Sequence, residues 1–179
     1  MASPKRIDGK LAILIVVILG VSGAAGGWWY QQNQQRRPLE RWGRDAAQLF
    51  LKAPRVELLR LTPAAPTASL RIDVVTADGE RFHATDRINV SQAPGFLHLR
   101  HSLVSDNSFD WSTAEKASRA TWRYALHFVD GDHAATLLIA DDYHTAMLAE
   151  TGAQVSIGPL ASAIDELFSE QMKDEGVRS

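Results

Sequence analysis

The chain has 179 residues, 45% of them hydrophobic and 22% charged, with 19 Lys and Arg against 21 Asp and Glu for a formal net charge of -2. These values belong to a folding chain, and they exclude a disordered segment and the strongly basic balance of a nucleic-acid binder. Cysteine is absent, which excludes thiolate zinc sites, iron–sulfur clusters and cysteine nucleophiles.

Leu11 to Tyr30 (LAILIVVILGVSGAAGGWWY) is the one long apolar run, and it carries no charge. At roughly 1.5 Å per residue it is about 30 Å long as a helix, the thickness of a hydrocarbon core. Trp28, Trp29 and Tyr30 follow as an aromatic belt, and Lys5, Arg6 and Lys10 flank the other end. This pattern predicts a transmembrane helix over 11–30 behind a short basic tail, 1–10. A cleaved signal peptide is the competing reading, with Ser22-Gly23-Ala24 or Gly23-Ala24-Ala25 as the cut. Arg36, Arg37, Arg41 and Arg44 follow the run, so the count of cations does not decide orientation. The expectation is a cytoplasmic tail and an extracytoplasmic domain, because the reverse exports three cations on ten residues. Gly23 and Gly27 form a GxxxG pair that suits close helix approach and self-association.

Residues 31–53 read as a juxtamembrane stalk and an amphipathic helix. The polar Gln31 to Arg37 leads to Pro38, a first-turn proline for a helix over Leu39 to Ala53. Leu39, Trp42, Ala46, Leu49, Phe50 and Ala53 share its apolar face. Its arginines are candidates for contact with anionic headgroups, or else a solvated face. Residues 54–179 read as one α+β domain, large enough for its own core.

That domain opens with strands. Arg55 to Leu61 is the first, a proline-bearing loop over 62–67 follows, and Ser69 to Ala77 alternates with Leu70, Ile72 and Val74 on one side. Asp78-Gly79 predicts a two-residue hairpin into Arg81 to Val90. A short helix is expected from Pro94 to Val104, with Phe96, Leu99 and Leu103 on one face. Phe109 to Trp111 is a candidate strand, and Thr113 to Ala120 a surface loop. Trp122 to Val129, Asp132 to Ala140, Tyr143 to Glu150 and Ala153 to Ile157 form a meander joined at Asp130-Gly131, Asp141-Asp142 and Thr151-Gly152. A final helix runs from Pro159 to Lys173 with Leu160, Ile164, Leu167 and Phe168 inward. The fold class is α+β, an antiparallel meander packed by helices.

The hairpin turns predict register. With Asp130-Gly131 as the turn, Phe128 faces His133, Leu126 faces Ala135, Tyr124 faces Leu137 and Trp122 faces Ile139. With Asp141-Asp142 as the next, His144 faces Ile139 and Leu148 faces Ala135. One sheet face then carries Trp122, Tyr124, Leu126, Phe128, Leu137, Ile139 and Leu148 against the last helix. The other, with Arg123, Ala125, His127, Thr136, Thr145 and Met147, is expected to be mixed and less deeply buried.

Candidate chemistry is sparse. His98 and His101, three apart on the short helix, could share a metal only if a third ligand came from Asp106, Asp110 or a distant strand. His127 and His133 point to opposite faces, and His144 is expected half-buried beside Trp122. Ser102 lies near His98 and His101, but no nucleophile-elbow motif surrounds it. Asp130/Asp132 and Asp141/Asp142 sit in hairpin turns, where aspartate is favoured for backbone reasons. No glycine-rich phosphate loop follows a strand, so no catalytic, cofactor-binding or metal-binding residue is assigned. The layout of anchor, helix and antiparallel sheet resembles pilin-like subunits and small inner-membrane parts of secretion machines. The apolar helix here lacks the glutamate of those subunits, so no residue is carried over from them. The expectation is a single-pass membrane protein of the cell envelope that acts through a protein partner or self-association, without catalysis, cofactor or nucleic acid. The alternative is a membrane-tethered hydrolase using His98, His101 and a carboxylate, or a small-ligand-binding domain.

Overall fold

The structure is a computed structural model that describes residues 9–33, 36–63, 74–77, 79–112 and 120–176. The basic tail before residue 9, the first half of the expected second strand and the 113–119 loop lie outside the described residues.

The chain forms the helix α1 (Gly9–Asn33), then α2 (Arg36–Trp42) and α3 (Arg44–Lys52). The strands β1 (Arg55–Pro63), β2 (Val74–Ala77) and β3 (Glu80–Asn89) follow. After α4 (Phe96–Ser102) come β4 (Trp122–Asp130), β5 (His133–Ala140), β6 (Thr145–Leu148), β7 (Ala153–Ser156) and α5 (Ala161–Gly176). The described side chains of α1, residues 15–29, are all exposed, including Ile15, Val16, Val17, Ile18, Leu19, Trp28 and Trp29. Among the described residues no helix is long and apolar enough to cross a membrane.

The domain is α+β, built on one seven-stranded antiparallel sheet in the order β2-β3-β1-β4-β5-β6-β7. The β4–β7 run is the expected meander, while β3 folds back so that β1 lies between β3 and β4. Helices α2, α3, α4 and α5 cover one face. Phe50, Phe96, Phe128 and Phe168 are fully buried there with Leu58, Leu126, Leu137 and Ile139. Each such side chain contributes about 1.5–3 kcal/mol by leaving water. Rings tie the layers together: Phe50 lies 4.8 Å from Phe128, Trp42 5.8 Å from Phe50, and Phe168 5.4 Å from Tyr124.

Several expectations are corrected in detail. The helix expected over Leu39 to Ala53 is two helices, because Gly43 adopts φ 82, ψ 158, a conformation essentially confined to glycine. Both halves belong to the core: Trp42, Ala47, Phe50 and Ala53 are buried, and the Trp42 indole donates to the Leu103 carbonyl at 3.0 Å. Phe109 to Trp111 is not a strand; it follows a 3-10 turn, Asp106–Ser108, and the Asp110 amide donates to Ser156 at 3.0 Å. The last α-helix begins at Ala161, after a 3-10 turn over Gly158–Leu160.

Both predicted hairpin registers are displaced by two. Asp130 pairs with His133, so the turn is Gly131-Asp132, with Phe128 opposite Ala135, Leu126 opposite Leu137 and Tyr124 opposite Ile139. Gly131 has φ 58 and Asp132 a negative φ, the type II′ arrangement with glycine first rather than second. The β5–β6 loop takes four residues, 141–144, which sets Leu148 against Leu137. A shift of two keeps every residue on its face. A register irregularity between Trp122 and Tyr124 does not, and it sends Trp122 to the opposite side of the sheet.

Trp122 there joins Leu59, Leu61, Phe82, Ala125, Leu138, Ala140 and Met147 in a second apolar cluster. The sheet curls, so residues of β3, β1, β4, β5 and β6 meet in it. This face is more deeply buried than its mixed sequence implies: Ala125 and Leu138 are fully buried and Met147 is 1% exposed.

Candidate functional site

Three places collect polar side chains on the folded domain. The first is a groove of about 710 Å³ between α3 and the β4–β5 hairpin. Trp42, Ala46, Leu49, Ala135 and Leu148 give it an apolar lining, and Asp45, Gln48, Lys52, Asp132 and His133 surround them. Its walls are held firmly. Trp42 and Ala135 are core residues, and Glu150 is fixed by accepting the Thr136 amide at 2.7 Å, in the place a ladder carbonyl would occupy.

The second is a cleft of about 360 Å³ between α4 and α5. His98, Ser102, Glu166 and Glu170 line it with Leu99, Leu160 and Leu167. Gly95 precedes α4, and packing of Phe96 and Leu99 into the core aims His98 outward. His98 therefore meets the serine of the sequence reading and two carboxylates, while the exposed His101 is not part of this lining. Among the described residues no hydrogen bond joins His98, Ser102, Glu166 or Glu170 to one another. A nucleophile, a base and an orienting group are in one cleft but not in the bonded order acyl transfer requires.

The third is a polar row across the sheet, beside the second apolar cluster. Glu57 is 3% exposed. Arg55 donates to its Oε1 at 2.5 Å and Arg87 to its Oε2 at 3.1 Å, so each carboxylate oxygen has a guanidinium. This satisfies a buried charge that would otherwise be costly. In the β1–β4 register Glu57 stands opposite His127, whose Nδ1 lies 3.0 Å from Thr136 Oγ1. Both groups are already occupied, which suits holding the strands in register more than proton transfer.

Asp130, Asp132 and His133 meet in the groove at α3, and the other sequence-named histidines lie apart from them. His127 and His133 lie on opposite faces, as their positions in the strand predict. His144 is exposed rather than beside Trp122; its Nδ1–H donates to the Asp142 carbonyl at 2.6 Å, and its amide donates to Asp142 Oδ1 at 2.9 Å. Asp142 thus shapes its own turn. Among the described residues no group of three or more His, Asp and Glu could hold a metal ion.

Tyr143, in the same loop, is a non-glycine residue with φ 60. Its ring stacks on Tyr124 at 5.4 Å and 12° and meets Phe168 edge-on at 6.1 Å. Burial, with the Tyr124 hydroxyl and the Asp165 carboxylate nearby, raises its phenol well above the ordinary tyrosine range. The groove at α3 escapes sequence reading because its lining comes from segments around 42–52, 130–135 and 148–151, which only the fold brings together. No protein-family model, curated protein or solved structure matches the chain.

Proposed function

We propose that the protein is a membrane-anchored accessory or assembly component of the cell envelope, acting through protein–protein interaction and without a catalytic step. Residues 11–30 serve as the single-pass anchor, the tail stays in the cytoplasm, and the domain is presented outside it. The uncharged apolar run and its flanking belt support the anchor. So does the exposure, all round α1, of Ile15, Val16, Val17, Ile18 and Leu19, which an aqueous surface does not favour.

The observation that carries the interaction reading is the groove at α3. It is open between two elements, apolar at its base and charged at its edge, which suits the surface of a partner chain. The test is purification of the full chain from membranes in mild detergent, beside an Asp45→Arg/Asp132→Arg variant. A stoichiometric partner retained by the wild type and lost from the variant is expected. A lone monomer from both preparations would sink the proposal.

A second reading has one observation in its favour. The α4–α5 cleft, at about 360 Å³, is of a size that holds a small molecule, and it contains His98, Ser102 and Glu166. Under that reading Ser102→Ala and His98→Ala abolish ligand binding or hydrolysis; under the preferred one they leave partner retention unchanged.

A further inference from the structure

We propose that Arg36, Arg37 and Arg44, three exposed arginines of the α2–α3 segment, bind the phosphates of anionic lipid headgroups and hold this side of the domain against the membrane. The inference rests on the anchor reading and deepens it, by giving the folded domain its own contact with the bilayer.

The covalent path sets the distance. α1 ends at Asn33 and α2 begins at Arg36. The connection reaches at most about 11 Å when extended. Trp28 and Trp29 lie one turn before the end of α1, so Arg36 stays within roughly 20 Å of the aromatic belt. A long arginine side chain and a Debye length of about 8–10 Å cover much of that distance.

α2 is not a slack tether. Pro38 and Trp42 are buried, the Trp42 indole holds Leu103, and Arg41 grips the Gln154 carbonyl. A charge placed on α2 is therefore a charge placed on the domain.

Chemistry then selects the ligand. Arg36, Arg37 and Arg44 are exposed, and among the described residues none has a carboxylate within ion-pair distance. Arg41 is already committed to Gln154. Glu40 and Asp45 are the acidic residues of the same stretch, and with Lys52 included it stays net basic within a chain of net charge -2. A local basic excess on a net acidic protein, tied next to an apolar anchor, matches an anionic interface. Guanidinium forks fit phosphate oxygens better than a point charge does. The acidic residues elsewhere on the domain, including Asp130, Asp132 and Glu150 across the groove from α3 and Asp165, Glu166 and Glu170 on α5, are repelled by the same interface.

The chain's lack of cysteine permits a single reporter. The full chain with Gln48→Cys carries a donor dye and is reconstituted in vesicles of phosphatidylcholine alone, or with about one third phosphatidylglycerol; acceptor dye is on the lipid headgroups. Higher energy transfer in the phosphatidylglycerol vesicles, lost at high salt, is expected. In an Arg36→Gln/Arg37→Gln/Arg44→Gln background the ratio of near to distant domains falls roughly fivefold per arginine. The lipid and salt comparisons use wild-type arginines, so they do not depend on the variant folding. Equal transfer in both vesicle types, with the chain floating with them, overturns the headgroup contact and leaves the anchor standing. A chain that does not float with either overturns both.

Discussion

Arg41 on α2 donates from Nε and Nη2 to the carbonyl oxygen of Gln154, at 3.0 and 2.7 Å, across 113 positions of sequence. Gln154 lies on β7, the last strand of the sheet, and the next outward carbonyl, Ser156, accepts from the Asp110 amide. The outer edge of β7 is thus occupied by a side chain and by a loop, which blocks pairing with another chain.

Arg41→Gln removes this cover. Hydrogen bonds from a charged donor contribute about 1.5–3 kcal/mol, and exposure reduces that to roughly 1 kcal/mol here. The variant is expected to unfold at lower urea and to associate with rising concentration in size-exclusion chromatography. Unchanged midpoint and unchanged elution would show that the edge needs no cap.

Gly43 makes a prediction of purely conformational origin. A Cβ added there meets nothing within 4 Å, so space is not the obstacle, but φ is 82. Gly43→Ala is expected to cost about 1–3 kcal/mol in denaturant unfolding. If instead the substitution stabilises, α2 and α3 have merged into one helix, and circular dichroism would show the gain.

Tyr143 predicts a dependence on pH. Its folded phenol titrates above the unfolded value of 10.0, so the native state holds its proton where the unfolded chain has released it. Its contribution is fully present below pH 10 and is lost as pH rises beyond it toward the folded value. Tyr143→Phe keeps the stacking on Tyr124 and is expected to flatten stability against pH above 10. An equal decline in wild type and variant would assign the effect to other groups.

The alternation in Trp122 to Val129 and the run to Ala140 made β4 and β5 legible from sequence, because each strand buries one face and period-two patterning follows from that. Turn dipeptides were legible as turns but not as registers. Ala77 pairs with Glu80 around 78–79, whereas at 130–132 glycine takes the first turn position and the strands slide by two. The irregularity at Arg123 has no local signature, so the side change of Trp122 was hidden, and with it the second apolar cluster. Of the candidate sites, His98 and Ser102 were visible as neighbours, being four apart on one helix, and so were Asp130 and Asp132 at one turn; their company from α5 and α3 was not.

Arg100 carries the sharpest prediction about the core. It is 8% exposed, and its Nε and Nη2 donate to the carbonyls of Phe50 and Ala53 at 2.6 and 2.8 Å. These acceptors lie at the end of α3, where a helix leaves carbonyls unsatisfied. The guanidinium therefore closes α3 from α4, with its charge partly over the Phe96 ring at 6.0 Å. Burial lowers its pKa from the ordinary guanidinium value. Arg100→Met preserves volume but strands both carbonyls, so a loss of about 2–4 kcal/mol is expected. Arg100→Lys, a point charge on a flexible stem, restores only part of the fork and is expected to fall between. Hydrogen exchange should show the effect as faster opening of the last turn of α3. If Arg100→Met matches the wild type in urea and in exchange, water satisfies these carbonyls and α4 does not cap α3.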